Sequence, residues 1–389
     1  MSDIITVTDT KTLADMCARL AQHSFVTVDT EFLRESTYWP ILCLIQVASN
    51  DEAALIDPMA DGLDLAPFFE LMADRNVVKV FHSARQDLEI ILKLGDLIPA
   101  PLFDTQIAAM VCGFGDSISY DHLVQKICNV QIDKSSRFTD WSQRPLTAKQ
   151  QTYALADVTH LRDIYKSLAA NLEQQNRTEW LTEEMAILES RGTYIVEPQD
   201  AWKRLKMRAR KPIELAVTKE LAAWREAEAK SRNQPRGRII KDDAIYELAS
   251  QQPENVQALA RMRALPKGFD RSKFADSVIA AVKRAKSIPK EDLPTVPRPP
   301  RRPEGASAVV ELLKVLLKLV CEQHGVASKI IANVDDLEKI ADSDTADVAA
   351  LKGWRRELFG EAALQVKEGK LGFALSQRKK VILVPIETE

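Results

Sequence analysis

Cysteine is scarce in this sequence, and its spacing fits neither a metal site nor a disulfide framework. The chain of 389 residues has five cysteines at scattered positions, without any C-x-x-C pair. An odd number of dispersed thiols argues against a zinc site and against structural disulfides. The distribution is typical of a protein in a reducing compartment.

Long apolar segments are also absent. No uncharged apolar run approaches the roughly 20 residues that span a bilayer. The first fifteen residues, MSDIITVTDTKTLAD, show no basic start followed by an apolar core, so no signal peptide is expected. We therefore expect a cytoplasmic protein without a membrane partner. Nothing in the sequence points to a required protein partner.

The net charge of −3 conceals a division of charge along the chain. Residues 1–195 contain 16 Lys and Arg against 28 Asp and Glu, whereas residues 196–302 contain 25 against 14. An acidic unit joined to a basic one is typical of nucleic-acid enzymes, because metals neutralise the site and a basic surface attracts phosphates. Mutual attraction between the two units is an equally good explanation.

The length predicts two or three domains, and the first 195 residues alternate strand and helix patterns. Short β-rich runs, IITV, FVTVDTEF, ILCLIQVAS and EAALIDP, predict a largely antiparallel start. VVKVFHS is a further strand, followed by the amphipathic helix ARQDLEIILKLG with Gly95 as a candidate C-cap. Helical patterns dominate from Phe103 onward. The predicted class is α/β with a mixed sheet.

After about Val196 the patterns are helical throughout, and two segments resemble each other. RIIKDDAIYELAS is similar to KIIANVDDLEKIAD, and matching Ile239 with Ile330 gives an offset of 91 residues. This repetition predicts a duplicated helical module. Six prolines between residues 289 and 303 predict a stiff linker between the copies.

Two carboxylates stand on one face of a predicted strand. Because side chains alternate, Asp29 and Glu31 share a face in FVTVDTEF. Their repulsion is about 1 kcal/mol at 4 Å in water and roughly 4 kcal/mol near a protein surface. A bound divalent cation offsets it most simply. The alternative is that the strand ends near Thr30 and both acids face water.

Further acids follow along the chain. Asp87 begins the helix after a later strand, and Tyr153 and Asp157 lie at i and i+4 on one helix face. Asp104 is a fourth candidate, although an N-cap for the helix TQIAAMV is the better explanation for it. Each feature alone is common by chance. Their order is what gives them meaning.

In this order the motifs resemble those of the DEDD exonucleases, in the tyrosine-bearing branch. The sequence is similar to the bacterial ribonuclease D family along nearly its whole length. The segments that carry the resemblance are VDTEF, LCLIQVA, FHSARQDLE, FDTQIA, DKSSRFTDWSQRPL and YALADV.

The resemblance implies a domain plan. Residues 1–195 should form an RNase H-like 3′–5′ exonuclease domain, with a mixed β-sheet flanked by helices. Residues 212–290 should form an HRDC domain, and residues 291–303 a proline-rich linker. Residues 304–385 should form a second, HRDC-like domain. Both helical modules are expected to be all-α.

The resemblance also implies roles. Asp29, Glu31, Asp87 and Asp157 would be the catalytic carboxylates that bind two divalent cations, Mg²⁺ or Mn²⁺, per site. Tyr153 would orient the attacking water, since an unperturbed tyrosine with a pKa near 10 is a poor general base.

The implied activity is 3′-to-5′ exoribonuclease action on the 3′ ends of precursor tRNAs and other small structured RNAs, with release of 5′-mononucleotides. The basic module would hold the body of the RNA. Two alternatives stay open: a DNA-directed 3′–5′ exonuclease, and a nucleic-acid-binding scaffold without activity.

Five residues are candidate substrate contacts. Arg137 and Arg144 precede the catalytic helix and could bind phosphates. Phe32 and Leu33 follow Glu31 and could pack against terminal bases, although core packing explains Leu33 equally well. His82 could contact the substrate or be a hydrogen-bonded histidine at a strand end.

Overall fold

The computed structural model describes residues 4–297, 305–377 and 380–386, which form three units. The first unit contains the strands β1 (Ile5–Val7), β2 (Phe25–Leu33), β3 (Ile41–Ala48), β4 (Ala53–Ile56), β5 (Val78–Phe81) and β6 (Leu102–Asp104). Its helices are α1 (Thr10–Leu20), α2 (Ala66–Ala73), α3 (Arg85–Gly95), α4 (Thr105–Val111), α5 (Tyr120–Cys128), α6 (Ala148–Gln174) and α7 (Thr178–Leu188). None of the described helices is both long enough and apolar enough to cross a bilayer.

The six strands form one mixed sheet in the order β1-β4-β3-β2-β5-β6. Strands β2, β3 and β4 form an antiparallel meander, as predicted, whereas β1 pairs in parallel with β4. On the far side, β5 lies parallel to β2, and β6 lies parallel to β5. The predicted α/β class with a mixed sheet is confirmed. Strand β2 is therefore an inner strand with neighbours on both sides.

Helix α6 packs on the face of β2 that carries the acids. The buried Thr27 hydroxyl donates to the carbonyl of Val158 at 2.8 Å, which joins strand and helix directly. On the opposite face Val26 and Val28 are fully buried in the main core. The alternation of side chains along β2 thus separates a core face from a functional face.

The end of α3 differs from the prediction. Gly95 is the last residue of the helix, and Asp96 takes the left-handed C-cap conformation at φ 52°. A Cβ at Gly95 would lie 2.6 Å from the Phe69 ring. Gly95 is therefore required by the close approach of Phe69, not by a cap.

The second unit is a helical bundle. Its helices are α8 (Pro212–Ser231), α9 (Arg236–Ile239), α10 (Asp242–Gln251), α11 (Val256–Leu259) and α12 (Ala275–Lys286). Tyr38, from the loop that follows β2, is buried in the core of this bundle. Its hydroxyl donates to Glu226, which is 1% exposed and accepts two bonds from Arg236 at 2.5 and 2.7 Å. The first unit and the bundle are joined by this buried contact.

The third unit follows the linker, of which residues 298–303 lie outside the described ranges. It consists of α13 (Ala306–His324), α14 (Ser328–Ile331), α15 (Val334–Asp342), α16 (Gly353–Arg355), α17 (Glu361–Lys367), β7 (Leu371–Leu375) and β8 (Val381–Pro385). Strands β7 and β8 form an antiparallel hairpin. The expectation of an all-α module was wrong here, because LGFAL and VILVP are short apolar runs rich in β-formers on either side of a polar turn.

The third unit packs against the end of α4. The amide of Ala327 donates to the carbonyl of Met110 at 2.9 Å. Gly113 has φ 82°, and a Cβ there would collide with the carbonyl oxygen of Gly325. Only glycine permits this approach, so Gly113 shapes the interface between the first and third units.

Candidate active site

Three carboxylates from two elements meet above the C-terminal half of β2. Carboxylate oxygens of Asp29, Glu31 and Asp157 lie within 4.8 Å of one another. Asp87 comes from the first turn of α3 and lines the same cavity as Asp29 and Asp157. Its carboxylate accepts a hydrogen bond from the Thr30 hydroxyl. The structure therefore brings all four sequence-predicted acids to one place.

Local structure fixes each acid. Thr147 and Gln150 form a capping box at the start of α6, which sets where the first helical turn begins. Tyr153 and Asp157 follow on one face of that helix. On β2 the register shifts between Glu31 and Phe32, which is a β-bulge. Bulges next to active sites redirect side chains, and Phe32 lines the cavity although strict alternation would place it opposite Glu31.

Burial changes the protonation of these acids. Desolvation raises the pKa of Asp29 to about 6 and, together with the charges of Asp29, Asp157 and Asp87, that of Glu31 to about 10. Desolvation, followed by the charge of Asp29, also raises the pKa of Asp87 and Asp157 well above the ordinary range. Without a counterion, the cluster must therefore hold protons at neutral pH.

The donor set fits a hard divalent cation. It consists of carboxylate oxygens alone, which Mg²⁺ and Mn²⁺ prefer, and it includes no thiolate or imidazole. A bound cation would supply the positive charge that the protons otherwise supply. Arg137 already supplies part of it, since its charge lowers the pKa of Glu31 and Asp157.

Tyr153 stands beside this cluster as a neutral phenol. Desolvation, followed by the charges of Asp157 and Glu31, raises its pKa far above 10. A hydrogen bond from Tyr153 favours the charged form of Asp157. Because the phenol cannot lose its proton at neutral pH, it can donate or accept hydrogen bonds but cannot act as a base.

Asp29, Asp87 and Asp157 line a cavity of about 330 Å³. This volume is at the low end of ligand pockets, and it suits one terminal nucleotide better than a folded RNA. Phe32 and Tyr120 form apolar parts of the wall, and Lys134 and Arg137 form its cationic part.

Asp104 is an N-cap, as predicted, with a second role. Its carboxylate accepts from the amides of Gln106 and Ile107 at the start of α4. It also accepts from the amides of Ser83 and Ala84, at 3.0 and 2.8 Å, just before α3. One buried carboxylate thus holds the turn that presents Asp87.

Comparison with known proteins agrees with these features. A family described as 3′-5′ exonuclease matches residues 4–173, and the HRDC domain family matches residues 214–282. Ribonuclease D of Nitrobacter hamburgensis is 54% identical over 375 residues, which cover 96% of this chain and 98% of that protein. Ribonuclease D of Bartonella henselae is 51% identical over 374 residues, with coverage of 96% and 92%.

The chain belongs to the ribonuclease D family. The crystal structure of Escherichia coli RNase D superimposes with a TM-score of 0.83 at 27% identity, covering 94% of this chain and 99% of that one. Membership of the family makes the chain a 3′-to-5′ exoribonuclease, a hydrolase that acts on RNA. Its exonuclease domain is of the type that uses divalent metal ions.

Not every residue that was predicted to contact the substrate lines the cavity. Arg144 binds both oxygens of Asp57 at 2.6 and 2.7 Å and donates to the carbonyls of Cys43, Trp141 and Gln143. Its donors are used in fixing the loop before α6 to the sheet, which corrects the expectation of a phosphate contact.

Leu33 and His82 have structural surroundings. Leu33 packs against the small apolar cluster that contains Trp141 and does not line the cavity. His82 lines the cavity, but its Nδ1 lies 2.9 Å from the Thr105 hydroxyl. Burial lowers the pKa of His82 and keeps the ring neutral.

Gln46 is a further buried polar residue beside the acids, and the sequence motifs did not identify it. It lies opposite Asp29 in the β2–β3 register, so the two side chains share a face. Gln46 is fully buried, and neither atom of its amide has a hydrogen-bond partner among the described residues. A single glutamine inside the apolar run ILCLIQVAS was the available signal.

Proposed function

We propose that the protein removes nucleotides from the 3′ ends of precursor tRNAs and other small structured RNAs in the cytoplasm and releases 5′-mononucleotides. The observation that carries the proposal is the meeting of Asp29, Glu31 and Asp157 within 4.8 Å, at a cavity of about 330 Å³ that Asp29 and Asp157 line. A site of this size accepts a chain end and not the interior of a duplex.

In this proposal Asp29, Glu31, Asp87 and Asp157 hold two divalent cations, either Mg²⁺ or Mn²⁺. Four carboxylates carry −4, which two such ions balance. The chemistry that bound cations supply at such a site is activation of water and stabilisation of the leaving 3′ oxygen. The raised pKa values of the acids support this arrangement. Desolvation, and at Glu31 also the charges of the neighbouring acids, disfavour the charged carboxylates, and bound cations would balance these charges.

Tyr153 is assigned to the attacking water. Its phenol keeps its proton, and its interaction with Asp157 favours the charged form of that carboxylate. The hydroxyl would hold the water in line with the scissile phosphate. Exclusion of bulk water by Phe32 and Tyr120 would strengthen these interactions.

The HRDC module is assigned to the body of the RNA. Arg238 and Lys241 are exposed at one end of α9 and have no ion-pair partner in the described part of the chain. Residues 196–302 carry 11 more basic than acidic residues. Because Tyr38 anchors this module to the strand that bears Asp29, the module holds RNA at a fixed distance from the site.

The decisive experiment is digestion of a 5′-labelled precursor tRNA with a short 3′ trailer, in Mg²⁺ and in EDTA. Stepwise shortening that stalls near the mature end is expected in Mg²⁺ alone, and Asp29→Asn should abolish it. Asp163→Asn is the matched control, since Asp163 is exposed on the same helix as Asp157. An RNA that is bound but not cut would support the scaffold alternative.

A DNA strand of the same sequence tests the other alternative. Faster shortening of the DNA would overturn the RNA assignment. Cleavage that survives Asp29→Asn would mean that the active site lies elsewhere.

The role of the HRDC module can be tested in the intact chain, which keeps Tyr38 buried. Replacing Arg238 and Lys241 together by Glu should raise KM more than it lowers kcat. The slope of log affinity against log salt should fall by about 0.7–0.9 for each phosphate that the variant no longer binds. Lys318→Glu with Lys329→Glu changes the net charge equally on the third unit and should leave the slope unchanged. Equal slopes for all three proteins would contradict the assignment.

A further inference from the structure

Phe138 presents an aromatic ring to solvent beside the catalytic cavity. It is 90% exposed, and no other large apolar side chain in the described ranges is more exposed; the next, Leu375, is at 70%. Single exposed apolar residues are ordinary in soluble proteins. What distinguishes Phe138 is its position, directly after Arg137, which lines the same cavity as Asp29, Asp87 and Asp157.

The turn that carries Phe138 is fixed on both sides. The amide of Arg137 donates to the carbonyl of Lys134 at 3.1 Å, and the amide of Thr139 donates to the carbonyl of Ser136 at 3.2 Å. Ser136 is 3% exposed. Thr139 accepts a hydrogen bond from the side chain of Gln150, in the first turn of α6. The ring therefore projects from a turn held by the helix that bears Tyr153 and Asp157.

A cation accompanies the ring. The guanidinium carbon of Arg137 lies 5.2 Å from the centroid of Phe138, within the range of a cation–π contact. The charge of Arg137 also acts on Glu31 and Asp157 of the acidic cluster. One arginine thus connects the exposed ring with the reacting end of the site.

Surfaces that bind single-stranded nucleic acid combine exposed aromatic rings with cationic side chains, as Phe138 and Arg137 do here. Bases stack on the ring irrespective of sequence, and the cation follows the backbone. The cavity has room for about one nucleotide, so a ring outside it can only meet a base further upstream.

We propose that Phe138 is the stacking platform for a nucleobase just upstream of the 3′-terminal nucleotide, with Arg137 at the phosphate between the two. The inference rests on the proposed exonuclease function and adds a positioning residue to it. Phe138 would hold the single-stranded 3′ end straight while the terminal nucleotide enters the cavity. The acids and Tyr153 do not depend on it.

Steady-state kinetics on a short unstructured oligoribonucleotide test the proposal. Phe138→Ala should raise KM about tenfold with little change in kcat. Phe138→Trp should restore KM, whereas Phe138→Leu should not, because leucine is apolar but has no π face. Leu375→Ala, at the next most exposed apolar position, is the control and should behave as wild type.

Abasic nucleotides locate the contact. With one abasic nucleotide at the second, third or fourth position from the 3′ end, one position should raise the KM of the wild type to that of Phe138→Ala. At that position the two proteins should no longer differ. If Phe138→Ala has the wild-type KM and no position distinguishes the proteins, the stacking platform is wrong.

A substrate without an upstream base separates this failure from failure of the exonuclease function. The nitrophenyl ester of a nucleoside 5′-monophosphate offers only the terminal nucleotide, so the KM effect should be confined to the oligoribonucleotide. If wild type cuts neither substrate, the proposed function itself fails.

A spectroscopic readout is independent of cleavage. In Asp29→Asn with Phe138→Trp, RNA should quench the emission of the added indole. An absence of quenching would overturn the contact.

Discussion

The indole rings of Trp180 and Trp354 stack with centroids 4.3 Å apart and planes inclined by 7°. Trp180 belongs to α7 of the nuclease unit and Trp354 to α16 of the third unit. The guanidinium groups of Arg177 and Arg355 lie 4.8 and 4.3 Å from the two ring centroids. Arg355 also pairs with Glu183 at 2.8 Å and with Glu184. The third unit is thereby fastened to the nuclease unit by aromatic, cationic and ionic contacts at one point.

Trp354→Ala should weaken this attachment. Loss of a buried tryptophan costs about 3–5 kcal/mol, and here the loss also exposes Trp180. We expect a lower midpoint of urea unfolding and faster proteolysis between the first and third units. Val334→Ala, exposed on α15, is the control and should change neither. An unchanged midpoint for Trp354→Ala would show that the stack does not hold the units together.

Tyr153→Phe should slow turnover and leave metal affinity nearly intact. The substitution removes the hydroxyl to which the proposed function assigns the orientation of water, but it removes no carboxylate. We expect kcat to fall about 10–100-fold, less than the largest losses seen when proton transfer itself is removed. Tyr165→Phe, a core aromatic on the same helix, controls for packing. Titration with Mn²⁺ is the second measurement, and loss of Mn²⁺ binding in Tyr153→Phe would refute the orienting role.

The metal-free protein should become less stable as pH rises from about 4 to 10. Asp29 and Glu31 have raised pKa values, about 6 and about 10, so the folded state holds protons that the unfolded chain releases above about pH 4. Their contribution to stability is complete below the unfolded pKa and is lost as pH passes the folded pKa. In EDTA the melting temperature should therefore be lower at pH 8 than at pH 5.5.

Added Mg²⁺ should raise that melting temperature more at pH 8 than at pH 5.5, because at low pH the cation competes with protons. Asp29→Asn with Glu31→Gln removes two of the four carboxyl groups with raised pKa values and isolates the share of these two in the pH dependence. If the double variant retains the full wild-type dependence, other groups cause it.

Tyr38 and Glu226 should show strong energetic coupling. A hydrogen bond to a charged group contributes about 1.5–3 kcal/mol, and Tyr38 is 7% exposed where it meets Glu226. We expect Tyr38→Phe to lower the free energy of unfolding by about that amount. In a double-mutant cycle with Glu226→Gln the two losses should not add. Tyr246→Phe, on α10 of the same bundle, is the control, and additive losses in the cycle would mean that the contact contributes little.

The sequence predicted the catalytic face because its signals are local. Asp29 and Glu31 are two residues apart on one strand, and Tyr153 and Asp157 lie about one helical turn apart. Regular strand and helix geometry alone therefore brings each pair onto one face. The capping preference of Asp104 is equally local, and the structure confirms it. The mixed sheet followed from the same kind of pattern.

Contacts between distant segments could not be predicted in this way. Arg144 precedes α6 by a few residues, yet its partner Asp57 is 87 positions away in the sequence. The ion pair with Asp57 occupies the guanidinium group. Tyr38 lies in the loop after β2, yet it is buried in a bundle that begins more than 170 residues later. The residues around Gly95 in the sequence do not indicate that Phe69 packs against it. Each outcome depends on tertiary packing, which overrides local preference.

The inner position of β2 also bears on how this enzyme can change over time. Asp29 and Glu31 lie on an inner strand of the sheet, where they pair with Gln46 and Leu44 of β3. Arg137 and Phe138 lie on a turn held by a few bonds and are exposed. If the proposed roles hold, mutation of this turn can alter which RNA ends are accepted while the hydrolytic chemistry is inherited unchanged. The two properties are free to diverge at different rates within one lineage.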